Sequence, residues 1–163
     1  MGQEIERKFL LRNAGWRPLV SRSVTMRQAY LSEAGRASVR VRVEGEQANL
    51  NIKSSTLSIE RQEFEFPIPL SEALGLFPLC ADHPVEKVRH YVPDGEFTWE
   101  IDEFEGANAG LIVAEIELAS PDQVHPTPDW LGEEVSLDKR YYNVYLAKHP
   151  YGNWGDSPPD VTS

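Results

Sequence analysis

Charged side chains of one sign recur two residues apart along this chain, among them Glu4/Glu6, Arg40/Arg42, Glu63/Glu65, Lys87/Arg89, Glu100/Asp102 and Glu115/Glu117. In an extended strand, residues two apart share a face and stand about 6.5 Å from each other. At an effective dielectric near 20 each such pair repels by roughly 2–3 kcal/mol. On a fully wetted face the cost falls below about 1 kcal/mol, and any one pair is then an ordinary solvated edge. Taken together the pairs say more. Sign is sorted strand by strand, whereas solubility alone intersperses signs. The alternate positions carry Val, Ile, Phe and Trp and must be covered. A sheet covered on that apolar face and closed on itself would put the charges inside, as a polar-lined barrel.

Enclosed charge is expensive unless paired, so such an interior must hold water, ions and a charged ligand. Convergent carboxylates bind hard divalent cations such as Mg²⁺ or Mn²⁺ through oxygen. Convergent Arg and Lys bind phosphate or carboxylate, Arg through its bidentate fork. Acidic and basic walls facing one cavity suit a metal–polyphosphate complex.

The elements that would position these groups are mostly strands. Period-two runs occur at Glu4–Phe9, Val39–Val43, Leu50–Lys53, Arg61–Phe66, Lys87–Arg89, Trp99–Asp102 and Ala114–Leu118. Turn signals at Glu44-Gly45-Glu46, Pro93-Asp94-Gly95 and Gly106 to Gly110 separate them. Regular strands with short connections predict an antiparallel sheet or barrel. Helices are few: one from Ser71, read as an N-cap, to Cys80; a short turn between Asp129 and Val135; and a helix-compatible stretch from Leu137 to His149. Residues 1–149 read as one domain, and 150–163 as an irregular C-terminal tail.

Composition narrows the function. The chain has 163 residues, with 26 acidic against 16 basic side chains and a formal charge of −10. That excess opposes nucleic-acid and acidic-membrane partners. A single cysteine, Cys80, excludes a disulfide framework and reads as a buried small hydrophobe. No run approaches the roughly 20 apolar residues of a membrane helix, and the N-terminus resembles no targeting peptide, so a cytoplasmic location is expected. Glu6 stands where a myristoylation signal on Gly2 needs Ser or Thr. The four histidines lack metal-site spacing, and neither a GxxxxGK[ST] loop nor an HExxH motif occurs. Trp16, Trp99 and Trp130 read as outer-face packing residues, and outer apolar side chains are available for a homodimer contact.

EIERKFL at the N-terminus resembles the ExExK signature of the CYTH superfamily, the triphosphate tunnel metalloenzymes. The resemblance continues through QAYL, VRVRV, NIKS, QEFEFPIP, KVRHY, WEIDEFEG, GLIVAEIEL and WLGEEVSLDKRYYN, and spans residues 3–147. It implies a closed, eight-stranded antiparallel barrel whose charged lumen binds a triphosphate with divalent metal. Carried over residue by residue, it implies Glu4, Glu6, Glu115 and Glu117 as metal ligands. Glu63, Glu65 and Asp102 are implied either as ligands of a second metal or as holders of the basic residues. Lys8, Arg40, Arg42, Lys53, Lys87 and Arg89 are implied as triphosphate ligands, with Arg140 reaching the substrate from the segment that closes one end. Lys87, or Lys8 with Tyr30, would transfer a proton to the leaving group.

The form of the motifs most resembles the small tripolyphosphatases, which implies metal-dependent hydrolysis of inorganic triphosphate to pyrophosphate and phosphate. The alternatives are a class IV adenylate cyclase, a thiamine or nucleoside triphosphatase, or a non-catalytic polyphosphate-binding module.

Overall fold

A computed structural model describes residues 3–32 and 35–154. Positions 155–163 of the expected tail, and Gly2, lie outside the described residues. Ten strands form the molecule: β1 (Glu4–Leu11), β2 (Arg22–Ser32), β3 (Ala37–Glu44), β4 (Gln47–Ser54), β5 (Glu60–Arg61), β6 (Glu63–Ile68), β7 (Val85–Asp94), β8 (Phe97–Phe104), β9 (Ile112–Glu117) and β10 (Leu131–Glu134). Two short helices accompany them, α1 (Leu70–Leu76) and α2 (Asn143–Lys148).

The strands pair in the order β10-β1-β9-β8-β7-β2-β3-β4-β6, and every pairing is antiparallel. Closure comes from residues 59–62. β5 pairs with the start of β1, Glu4 opposite Arg61, while the Ser54 amide donates to the Gln62 carbonyl across to β4. Counted as one stave interrupted at Gln62, β5 and β6 complete an eight-membered ring, with β10 added along the far half of β1. The expected eight-stranded antiparallel barrel is the observed architecture.

Sequence periodicity explains the two faces. Ile5, Phe9, Trp99, Ile101, Ala114 and Ile116 point outward into one core cluster, covered by Trp16, Trp130 and Leu131. Trp99 meets Trp130 edge-on at 5.4 Å. The tryptophans are thus packing residues, as expected. Two hairpins turn on two-residue loops at Gly45 (φ 58°) and Gly95 (φ 62°). Glycine at the first loop position with no positive φ at the second fits the II′ geometry that matches strand twist.

At one end the inward face changes character. Tyr30, Val85, Phe104 and Val113 pack with Tyr141, Leu146 and Trp154 into an apolar plug that closes the barrel floor. α2 is anchored there by buried Leu146 and Ala147. Residues 151–153 form a 3₁₀ turn that brings Trp154 against Tyr141, 5.7 Å between rings.

Four local expectations change. Asp129–Val135 is not a turn of helix, because Leu131–Glu134 is strand β10 against β1. A Cβ on Gly132 would lie 2.7 Å from the Leu10 carbonyl oxygen, so this contact requires glycine. The first helix is capped at Pro69 and begins at Leu70, which places Ser71 inside its first turn. Only the parts 139–141 (3₁₀) and 143–148 (α) of the 137–149 stretch are helical. Cys80 is partly exposed rather than buried. Among the described residues no helix is long and apolar enough to cross a membrane.

Candidate active site

Strand order gathers charges that lie far apart in sequence. Around the ring, β6, β1, β9 and β8 are neighbours and turn Glu63, Glu65, Glu4, Glu6, Glu115, Glu117 and Glu100 inward. The other arc, β7-β2-β3-β4, turns in Lys87, Arg89, Arg40, Arg42 and Lys53. Between the arcs lies a cavity of about 270 Å³. Seven basic and eight acidic side chains line it, so the lining is one charge from neutral and the chain's acidic excess sits elsewhere.

Cross-strand register decides which charges meet. Lys8 lies opposite Glu115 on β9, and its Nζ stands 2.8 Å from Glu115 and 3.2 Å from Glu6. Arg89 lies opposite Asp102, which accepts from both its Nε (2.7 Å) and its Nη2 (2.9 Å). Lys87 Nζ donates at 2.6 Å to Asp102 Oδ2, the same oxygen that accepts from Arg89 Nη2. Lys53 lies between Glu4 (3.2 Å) and Glu63 (3.4 Å). Arg40 differs from all of these. It is 6% exposed, its Nε is buried without a hydrogen-bond partner, and it makes no ion pair among the described residues.

Burial and the neighbouring Glu115 push the Glu6 carboxyl up to about 7. Burial raises Glu100 to about 7 as well, with Arg89 opposing. Burial works against ionised Glu115, yet Lys8, Arg89 and Lys87 hold it well below the carboxylate range. Asp102 is likewise held low by Arg89 and Lys87 in spite of burial. Burial drives the Lys87 ammonium down to about 7, Arg89 and Arg42 adding to the effect and Asp102 opposing it. Lys8 keeps its proton: against burial, Glu115 and Glu6 hold it above its ordinary value.

These shifts give a stability profile. Between about 4.5 and 7 the unfolded chain has released the Glu6 and Glu100 protons and the folded chain has not, so stability falls as pH rises. Glu115 and Asp102 act with opposite sign, but only below the ordinary values of 4.5 and 3.8. From about 7 to 10.5 the unfolded chain holds the Lys87 proton that the folded chain has lost, so stability rises with pH. The melting temperature of the protein in a chelator is therefore expected to pass through a minimum near pH 7. Calorimetry from pH 5 to 9 checks this, and a steady rise from 5 to 7 would contradict it.

Of the residues expected from sequence, the structure brings Glu4, Glu6, Lys8, Tyr30, Arg40, Arg42, Lys53, Glu63, Glu65, Lys87, Arg89, Glu115 and Glu117 to one cavity. Two are not brought there. Asp102 is fully buried, in contact with Lys87 and Arg89. Arg140 is a correction: its guanidinium folds back on Asp138 at 2.7 Å and lies over the rings of Tyr141 and Trp154. A carboxylate two residues away in the same 3₁₀ turn is a nearer partner than the lumen. Sequence reasoning missed Arg61, Glu100, Asn143 and Gln28. Arg61 and Glu100 share their strands' charged faces, which was a readable signal. The others carry no charge pattern and meet the site only through the fold.

The acidic arc fits a divalent cation by its chemistry. Its donors are hard carboxylate oxygens, and Glu6 and Glu117 are both raised by burial and by neighbouring carboxylates, a repulsion that a cation relieves. Among the described residues no three of them are already drawn into a ready-made cluster. The Lys8 ammonium stands between Glu6 and Glu115 and offsets part of their charge.

A family model described as CYTH domain matches residues 2–144. An inorganic triphosphatase of Acetivibrio thermocellus is 42% identical over 155 residues, covering 94% of this chain and 99% of that protein. An inorganic triphosphatase of Nitrosomonas europaea is 37% identical over 149 residues, covering 88% and 96%. Among solved structures, the inorganic triphosphatase NE1496 superposes with a TM-score of 0.65 at 34% identity, covering 90% of this chain and 95% of that one.

Proposed function

This chain belongs to the CYTH domain family, and on that footing we propose that it is a hydrolase that splits inorganic triphosphate into pyrophosphate and phosphate inside its barrel. The observation that carries the reading is Arg40, a buried guanidinium on a wall of cations with no hydrogen bond or ion pair among the described residues. Unpaired buried charge is costly, and a multiply charged anion removes the cost. The lining offers such an anion cations and hydrogen-bond donors and is mostly polar.

Phosphoryl transfer asks the protein for alignment and charge neutralisation more than for covalent chemistry. Arg40 and Arg42 on β3, with Arg89 on β7, hold the phosphate chain extended along the basic arc. Lys53 and Arg61 bind where the two arcs meet. A divalent cation such as Mg²⁺ or Mn²⁺, for which Glu4, Glu6, Glu115 and Glu117 are the ligands, supplies charge neutralisation and polarises phosphate oxygens when bound. Glu63 and Glu65 hold Lys53 and Asn51 in place, at 3.4 and 3.1 Å. Lys87 delivers the proton to the leaving oxygen, since its ammonium sits near neutrality whereas Lys8 stays charged between two carboxylates. Tyr30 lines the cavity with its ring in the apolar plug, so it forms part of the floor on which the chain rests.

The test is a substrate screen with Mg²⁺ or Mn²⁺ on tripolyphosphate, ATP and thiamine triphosphate. Phosphate and pyrophosphate in equal amounts from tripolyphosphate, abolished by a chelator, is the expected outcome. Cyclic AMP from ATP would make the protein a cyclase. Anion binding without turnover would make it a binding module.

A further inference from the structure

Gln28 stands in the middle of the basic arc, yet it is neutral and fully buried. An amide buried so completely is costly unless both of its ends are bonded. Both are. Its Oε1 accepts from Arg42 Nε at 2.9 Å, and its Nε2 donates to Asn143 Oδ1 at 3.0 Å. The same Asn143 oxygen accepts from Lys87 Nζ at 3.0 Å. Asn143 is the first residue of α2 and lines the cavity, 115 positions beyond Gln28 in the chain.

The consequence is geometric. An ammonium has three N–H groups. Asp102 and Asn143 take two from Lys87, and the third has no hydrogen-bond acceptor among the described residues, the nearby Phe104 ring being 5.5 Å away at its centroid. With two bonds set, the direction of the third is set as well. On Arg42, a bond at Nε, the elbow of the side chain, fixes the plane of the fork. We propose that Gln28 and Asn143 are positioning residues, a neutral relay that sets the free N–H of Lys87 and the guanidinium plane of Arg42 against the same phosphate chain. The inference rests on the triphosphatase reading. It also gives the floor plug a function: the apolar contacts of α2 hold the Asn143 amide in register with two other strands.

The relay is tested by Gln28→Met, Asn143→Ala, both together, and Asn143→Asp, with kcat and KM measured on tripolyphosphate and Mg²⁺. Each single change is expected to lower kcat about ten- to hundredfold, since both cations remain but lose their alignment. KM stays within about twofold. The double variant falls no further than the worse single one, because either change breaks the same relay. Asn143→Asp keeps the acceptor oxygen, so it regains kcat relative to Asn143→Ala while KM rises from the added negative charge. Unchanged kcat, a change in KM alone, or losses that multiply in the double variant would overturn the relay. Should Gln28→Met not fold, Asn143→Ala against Asn143→Asp decides alone. A wild-type protein that leaves tripolyphosphate intact refutes the function itself. An active wild type with normal variants refutes only the relay.

Discussion

Glu6→Gln is expected to raise the melting temperature of the metal-free protein at pH 8 while removing about a hundredfold or more of its tripolyphosphate turnover. Glu6 faces the lumen from β1, opposite Glu117, and its carboxyl is pushed up to about 7 by burial and by Glu115. A raised value means that the folded surroundings oppose the charge, even with Lys8 at 3.2 Å. The amide has the same shape, can still accept from Lys8, and no longer repels Glu115 and Glu4. A gain of about 1 kcal/mol would move the midpoint by roughly 2–4 °C in a chain of this size. The same change removes a hard anionic donor from the acidic arc, and losses of about 10²–10³ accompany the removal of one preorganised electrostatic group. A residue kept at a cost to stability is the usual mark of a working site. Calorimetry with a chelator and a phosphate-release assay with Mg²⁺ read the two effects separately. A lower midpoint with turnover intact would make Glu6 a structural residue.

Arg40→Ala makes the complementary change on the basic arc. Because Arg40 has no ion pair among the described residues, its loss leaves no protein carboxylate unpaired, and the folded state is expected to be as stable as before or more so. Substrate binding should suffer instead. A charge-assisted, bidentate contact to phosphate is among the stronger hydrogen bonds, and losing one in a buried site costs about 2–4 kcal/mol. That corresponds to a rise in KM of about 30- to 1000-fold. Arg40→Lys should recover only part of this, since an ammonium keeps the charge but lacks the planar fork. Steady-state kinetics on tripolyphosphate, with a melting curve for each variant, checks both halves. An unchanged KM with a lowered midpoint would place Arg40 in the scaffold.

The residues facing the lumen were legible because their strands alternate. From Glu4, Glu6 and Lys8 to Glu115 and Glu117 the lumen face is charged and the outer face mostly apolar, with Arg7 between Ile5 and Phe9 the exception on β1, and a one-residue slip would bury the wrong set. β2 was harder to read. Its outward positions include Thr25 and Arg27, its inward ones Met26 and Gln28, so polar and apolar residues do not separate and no period marks the strand. β10 is four residues long, too short to show a period in sequence. Asp102 shares the spacing of its neighbour Glu100, yet one faces the cavity and the other is sealed behind two cations, a difference of depth that spacing does not encode.

The sequence by itself determined the chemistry of this protein: alternation set which side chains turn inward, and their types made the lumen a place for a polyphosphate and a cation. Only the tertiary structure decided how those charges are arranged. It assembled the acidic arc from strands as distant as β1 and β9, paired Lys8 with Glu115 across 107 positions, left Arg40 without an ion pair among the described residues, and brought Asn143 between Lys87 and Gln28. The reason is distance. Coulomb energies and hydrogen bonds are decided within a few ångströms, and for residues on different strands strand order and register alone set that spacing.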